Sequence, residues 1–385
     1  MEEQLLAVVG GRVVRGDGLE SADVIVRDGR ITDVGAGSSV PEGARVIDAT
    51  GLMVAPGFLD LQVNGALGAD LSTDPECLWE VAAALPRYGV TGFLPTIITS
   101  RPGTAARAMA TLADRPAGFV GAEPLGLHLE GPMLDPARKG AHPTEWLRPP
   151  SPAVIEGWSR ARGVALVTLA PELPGALDVT RLLVRDGIVV SAGHTSATAA
   201  ELAAAVSAGV TYVTHLFNAM TPFGHRQPGP VGFTLADHRV VAGLIADGIH
   251  VHPIAVAAAW RALGSARLNL VSDAVAALGM PPGPFRLGER EVTLGPDGVR
   301  LPDGTLAGSA LALDEAVRNL VAFTGCAAHE AVATVTSTPS RVLGLTGKGA
   351  VAPGFDADLT LLRSDLTVEG AVVAGRPVHG CPAAP

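Results

Sequence analysis

The chain has 385 residues, 48% of them hydrophobic, and a formal net charge of −10. So apolar a composition excludes a disordered polymer, and the length suits one large domain with a smaller partner. The acidic balance argues against nucleic acid or an anionic membrane as a partner, because the long-range field repels polyphosphates and acidic lipid; an anionic substrate would need a local cationic patch.

Lys139 and Lys348 are the only lysines, so nearly all positive charge is arginine. Cys77, Cys326 and Cys381 are odd in number and in no CxxC pairing, which disfavours a disulfide scaffold, a zinc knuckle or a redox motif. Met1-Glu2-Glu3-Gln4 is acidic where a signal peptide needs a basic start, and no apolar run approaches the ~18 residues of a membrane span. The expectation is a soluble cytoplasmic protein with reduced thiols.

Residues 1–55 alternate short β-like runs with glycine turns: Leu6 to Val9, Gly10-Gly11, Val13-Val14, Asp23 to Val26, Asp28-Gly29 and Ile31 to Val34. That texture predicts a small antiparallel sheet. Residues 350–385 repeat it, and the two ends together predict one β-sandwich domain. Between them, over 56–349, apolar β-branched runs alternate with Ala/Leu-rich helical stretches such as Leu78 to Tyr88, Ala105 to Leu112 and Ala199 to Ala208. The predicted strands are Phe58 to Val63, Phe93 to Ile97, Leu125 to Glu130, Val164 to Leu169, Ile188 to Ala192, Tyr212 to His215, Val241 to Ala246 and Leu268 to Ser272. Eight such units define an α/β fold of the (β/α)8 TIM-barrel type, with catalytic groups at the C-terminal strand ends. Pro/Gly turns between Pro281 and Ser309 predict hairpins after the eighth strand.

Several of the ten histidines fall at or just past a predicted strand end, namely His128, His194, His215 and His250. A lone histidine is more often a satisfied polar residue than a ligand. Strand ends converge on one mouth, however, so Glu130, His194 and His215 come within reach of one ion. Two imidazoles and a carboxylate match a catalytic zinc site with a position left open for water. His128, two residues before Glu130, is either a support for the ligands or a packing residue. Asp273 ends the eighth run and is the candidate general base, with a helix N-cap as the competing reading. His250 follows the seventh run as a candidate donor to a developing oxyanion, or a core histidine. Asn218 continues past His215 into a loop where its amide suits a polar substrate. Arg226, on a proline-punctuated loop, is either an anion clamp or a solvated charge.

At these residues the sequence resembles the N-acetylglucosamine-6-phosphate deacetylase family of the amidohydrolase superfamily. Pro56-Gly57-Phe58-Leu59-Asp60, His128-Leu129-Glu130-Gly131-Pro132, Ser191-Ala192-Gly193-His194-Thr195 and Thr214-His215-Leu216-Phe217-Asn218-Ala219-Met220 carry the resemblance, which runs nearly end to end. It implies that Glu130, His194 and His215 hold the metal and that Asp273 is the catalytic acid/base. It implies that His250 contacts the acetamido carbonyl or sugar, that Ala141, His142, Asn218 and Ala219 line the sugar site, and that Leu306, Ala307 and Gly308 offer main-chain contacts. Arg226 would bind the 6-phosphate, reaching a neighbouring active site across a homodimer.

Most of the superfamily carries His-x-His at the end of strand one and binds two metals, often bridged by a carbamylated lysine. Here that site reads Gln62-Val63-Asn64, and neither Lys139 nor Lys348 ends a predicted strand. The resemblance is therefore to a single-metal subgroup, in which Gln62 and Asn64 hydrogen-bond waters on one divalent ion, zinc before iron, manganese or cobalt. The expected activity is hydrolysis of N-acetyl-D-glucosamine 6-phosphate to D-glucosamine 6-phosphate and acetate, in amino-sugar catabolism or cell-wall recycling. Its rivals are another amidohydrolase, acting on the galactosamine epimer, a cyclic amide or a nucleobase, and a non-catalytic barrel scaffold.

Overall fold

The computed structural model describes residues 4–16 and 18–382; the acidic Met1-Glu2-Glu3 start lies outside them. Eight parallel strands form the barrel: β1 (Phe58–Val63), β2 (Val90–Ile98), β3 (Leu127–Glu130), β4 (Val164–Leu169), β5 (Val189–Ala192), β6 (Val210–Val213), β7 (Val241–Leu244) and β8 (Leu268–Leu270), and the two-residue strand Glu123–Pro124 adds to β2 in the same sheet. Each pairs in parallel with the next. The seam between β8 and β1 narrows to one parallel bridge, Val63 with Ala274, where the Asn64 amide donates to the Ala274 carbonyl at 2.7 Å. Every residue of β1, β2 and β4 is buried, as covered faces on both sides of a parallel sheet require.

Helices Leu78–Ala84, Thr104–Ala113, Ala176–Arg185, Ala199–Ala208, Gly229–Ala236, Pro253–Arg267 and Leu313–Thr324 jacket the barrel. The predicted helix over Leu78 to Tyr88 tightens to a 3-10 turn at Leu85–Tyr88, because Pro86 has no N–H for an α-type bond. Ala199–Ala208 starts at a capping box in which Thr198 and Glu201 satisfy each other's backbone amides. Between β3 and β4 the strict alternation fails. Residues 131–163 hold only the 3-10 turns Pro136–Arg138, Thr144–Trp146 and Arg160–Arg162, since six prolines interrupt any helical ladder. This long connection lies across the barrel mouth.

The predicted hairpins after strand eight form a three-stranded antiparallel sheet of Gly283–Leu287, Arg290–Gly295 and Gly298–Arg300. The two chain ends build two further sheets. One orders Arg30–Gly35, Asp23–Arg27, Leu5–Val9 and Arg45–Asp48; the other orders Arg376–Gly380, Val368–Val373, Leu359–Leu362, Met53–Pro56, Arg12–Arg15 and Gly18–Ser21. They share a core containing Val8, Val24, Ile47, Val54, Leu361 and Val372. The sheets are mixed rather than purely antiparallel: Leu5–Val9 runs parallel to Arg45–Asp48, and Arg12–Arg15 parallel to Met53–Pro56. The Gly10-Gly11 turn passes the chain from one sheet to the other instead of closing a hairpin, so later strands fill the vacant edges. Asp28-Gly29 does close one, with φ of 47° and 79° in the left-handed pair a tight two-residue turn needs. At Gly57, between the terminal sheet and β1, a Cβ would lie 2.0 Å from Thr91 Oγ1, which leaves glycine as the residue that fits.

Candidate active site

Glu130 is the last residue of β3, and His194 and His215 each stand two residues beyond β5 and β6. Gly193 allows the first of these exits: a Cβ there would meet Thr168 Cγ2 at 2.7 Å. Both histidines then take left-handed backbone conformations, φ 49° and 29°, as do Phe217, Ala219 and Asp273. Such positions cost on the order of 1–3 kcal/mol each, and here they cluster at one mouth.

His194 Nε2 and His215 Nε2 each lie 3.0 Å from Glu130 Oε1 and 3.1 Å from one another. All three side chains are buried. The His194 Nδ1–H donates to the Arg138 carbonyl at 2.8 Å, which leaves the Nε2 lone pair facing the group. Two ring nitrogens and a carboxylate oxygen converging at this spacing need a shared proton or a cation between them. The donor set therefore fits a divalent metal, with softness and geometry compatible with zinc, iron, manganese or cobalt. His215 Nδ1 has no hydrogen-bond partner among the described residues. Burial opposes ionisation of Glu130, yet the hydrogen bonds and charges of His194 and His215 hold its carboxyl well below the usual range. Burial likewise opposes protonation of His215, and the Glu130 carboxylate outweighs it to raise that imidazole.

Asp273 lies three residues beyond β8 and caps no helix, since the next one begins at Leu313; the N-cap reading is thereby set aside. Burial, then the Glu130 charge, push its carboxyl up to about 6. A bound cation would pull it back down. Asn64 Nδ2 donates to Asp273 Oδ1 at 2.7 Å, and Gln62 Nε2 donates to Glu130 Oε1 at 3.3 Å. Both amides at the end of β1 thus bond protein carboxylates directly, while Asn64 Oδ1 is buried with no hydrogen-bond partner among the described residues.

These groups open into a cavity of about 290 Å³. His142, Ala141, Asn218, Ala219 and His250 line it, as do Leu306, Ala307 and Gly308 from the segment after the three-stranded sheet. His142 Nδ1 accepts the Thr99 backbone N–H at 3.2 Å, so its proton sits on Nε2, 3.8 Å from Glu130 Oε2. Burial holds this imidazole neutral, well below its ordinary pKa. His250 is arranged oppositely. Its Nδ1–H donates to Asp247 Oδ2 at 2.6 Å, so Nε2 carries a lone pair in the neutral ring and donates only in the imidazolium form.

His128 sits one layer below the mouth. Its Nδ1–H donates to the Leu61 carbonyl at 3.1 Å and its Nε2 accepts from Thr168 Oγ1 at 2.7 Å, with burial pushing it down to about 4. Arg226 is exposed on the loop after β6 and does not line this cavity. Lys139 Nζ donates to the Gly140 carbonyl at 3.4 Å, and Lys348 is bound by Asp356 and Asp358 just before the terminal strand Leu359–Leu362. Sequence reasoning missed Arg138, Leu287 and Thr305, which line the cavity, and Asp247, which holds the His250 ring. Only Asp247, three residues before His250 after an apolar run, carried a local signal.

A parallel barrel with a buried Glu-His-His group and a carboxylate at its mouth defines a class of hydrolase. The chain belongs to the amidohydrolase family, whose model matches residues 53–378. Within it, the N-acetylglucosamine-6-phosphate deacetylase of Bacillus subtilis (strain 168) is 37% identical over 377 residues, which span 96% of this chain and 95% of that protein. The Homo sapiens N-acetylglucosamine-6-phosphate deacetylase is 37% identical over 402 residues, 99% and 97% of the two chains. Among solved structures, a single-residue variant of the Mycobacterium smegmatis deacetylase in complex with N-acetyl-D-glucosamine-6-phosphate superposes with a TM-score of 0.89 at 34% identity, covering 98% of this chain and 100% of that one.

Proposed function

We propose that the chain hydrolyses N-acetyl-D-glucosamine 6-phosphate to D-glucosamine 6-phosphate and acetate. The observation that carries the reading is the meeting of Glu130, His194 and His215 with Asp273 in one cavity of a chain whose relatives bear that activity in their names. Glu130, His194 and His215 would hold a divalent ion, which would supply Lewis acidity toward the amide carbonyl and toward a water nucleophile. Asp273, fixed through Oδ1 by Asn64, takes the proton of the attacking water at its free oxygen and returns it to the departing nitrogen as the C–N bond breaks. His142 offers a neutral Nε2–H donor to the acetamido oxygen or a ring hydroxyl. His250, its Nδ1–H held by Asp247, offers a second donor in its imidazolium form.

We further assign zinc as the resident ion, and a homodimer in which Arg226 reaches the neighbouring cavity to hold the 6-phosphate. Exposure of Arg226 beside Phe223, which is 58% accessible, supports that arrangement. No helix among the described residues is long and apolar enough to cross a membrane, and we place the enzyme in the cytoplasm, where its three free cysteines stay reduced.

The test is acetate release from four substrates, the 6-phosphates of N-acetylglucosamine and N-acetylgalactosamine and the two free sugars, alongside metal analysis of the purified protein. Preference for the glucosamine phosphate with one zinc per chain is expected. No acetate from any of them at full metal occupancy refutes the reading.

A further inference from the structure

Glu172, in the loop after β4, is a carboxylate that the chemistry above does not use. It is partly buried, and burial raises its pKa, so holding it there needs an offset. Its two oxygens are both spent on the residues that follow His194: Oε2 accepts the Thr195 hydroxyl at 2.5 Å and Oε1 accepts the Ser196 backbone N–H at 2.6 Å. From there the hydrogen bonds return to the histidine. Ser196 Oγ accepts Arg138 Nε at 3.1 Å, and the Arg138 carbonyl is the acceptor for His194 Nδ1. A second branch runs to the loop after β6. The Thr195 N–H donates to the Ala219 carbonyl at 3.1 Å, and the Thr221 N–H donates to the Thr195 carbonyl at 3.2 Å.

We propose that Glu172 is a positioning residue that sets the orientation of His194 toward the metal and, through Thr195, the placement of the Asn218–Ala219 substrate loop. The backbone explains the need. His194 and Ala219 sit at φ of 49° and 51°, conformations that relax unless neighbouring contacts hold them. Thr195, fully buried, is the node where both loops meet, and Glu172 is its side-chain anchor. Gln62 bonds a ligand directly, whereas Glu172 acts at one remove, through the loop backbone and the Arg138 carbonyl. The proposal rests on reading Glu130, His194 and His215 as metal ligands.

The experiment is titration of metal-free full-length protein with cobalt(II), read by its visible absorption, for the wild type, Glu172→Ala, Glu172→Gln and Thr195→Val. Loss of both contacts in Glu172→Ala is expected to weaken cobalt binding about 10–100-fold and to change the visible band shape, because the imidazole approaches differently. Glu172→Gln keeps an oxygen for the Ser196 N–H and an NH2 group against the Thr195 oxygen, so it is expected to stay within about threefold of the wild type. Thr195→Val removes one contact without changing side-chain size much, and keeps the test alive if Glu172→Ala does not fold; about tenfold weakening is expected. Wild-type affinity and spectrum in the folded Ala and Val variants, even with a lower melting temperature, overturn the positioning role and leave the metal centre standing. A wild type that takes up no cobalt overturns both.

Discussion

Replacing Asp273 with asparagine separates its proton transfer from its place in the fold. Asparagine matches aspartate in size, and its carbonyl oxygen can still accept the Asn64 N–H that now reaches Asp273 Oδ1 at 2.7 Å. What disappears is the capacity to take a proton from water and give it to the amine. Positioned acid–base groups contribute about 10²–10⁴-fold, and a group serving as both base and acid belongs at the upper end, about 5 kcal/mol of barrier. Turnover, followed by acetate release at saturating substrate, is therefore expected to fall by about 10⁴ with metal content unchanged. A second readout comes from chelator-treated protein. Burial raises the Asp273 carboxyl from 3.8 to about 6 in the fold, so the folded state binds its proton more tightly than the unfolded state. That contribution is fully present below pH 4 and is lost as pH rises through 6, a difference of about 3 kcal/mol. The amide does not titrate, so the stability of Asp273→Asn relative to the wild type is expected to grow between pH 4 and 7 in urea unfolding. Turnover within tenfold of the wild type, or a stability difference flat across that range, would refute the assignment.

Chelation is expected to abolish acetate release and to lower the melting temperature, since an ion at about a thousand times its Kd stabilises by about 4 kcal/mol; zinc should restore both, and His194→Ala or His215→Ala should bind less than one ion per chain. Arg226→Ala is expected to raise KM for the phosphorylated sugar with kcat nearly unchanged. Mixing Arg226→Ala with Asp273→Asn subunits should regenerate low-KM activity if the arginine serves the neighbouring cavity, while no recovery in the mixture refutes a role across the interface. Tyr212→Phe removes the hydroxyl that donates to Asn269 Oδ1 at 2.7 Å in the core and strands that acceptor, so a loss of about 1–3 kcal/mol in denaturant unfolding is expected with a smaller effect on turnover.

Much of the barrel was legible because its signal is local. Buried parallel strands need continuous apolar β-branched runs, and Val164 to Leu169 reads that way without reference to any other residue. Given eight such runs, the position of Glu130, His194, His215 and Asp273 at their ends follows from the geometry of a barrel, whose strand ends share one mouth. The Gly193-His194 and Thr214-His215 steps carry the backbone exits in the sequence itself.

Other features depended on contacts between distant segments, which no local pattern encodes. The parallel pairing of Leu5–Val9 with Arg45–Asp48 is decided by which sheet edge is vacant after the Gly10-Gly11 turn. His142 enters the cavity because a proline-broken connection folds back over the mouth. Its protonated nitrogen is chosen by the Thr99 N–H, 43 residues away. Gln62 and Asn64 announced by their residue type that imidazoles were missing from the end of β1, but only the packed barrel brings their amides to Glu130 and Asp273, 68 and 209 residues onward. The sequence by itself determined which chemical groups stand at the strand ends, because strand periodicity and turn chemistry act over a few residues. Tertiary structure alone decided which of those groups touch, and hence which nitrogen carries a proton and which carboxylate is held ready, because such choices are made by partners from remote parts of the chain.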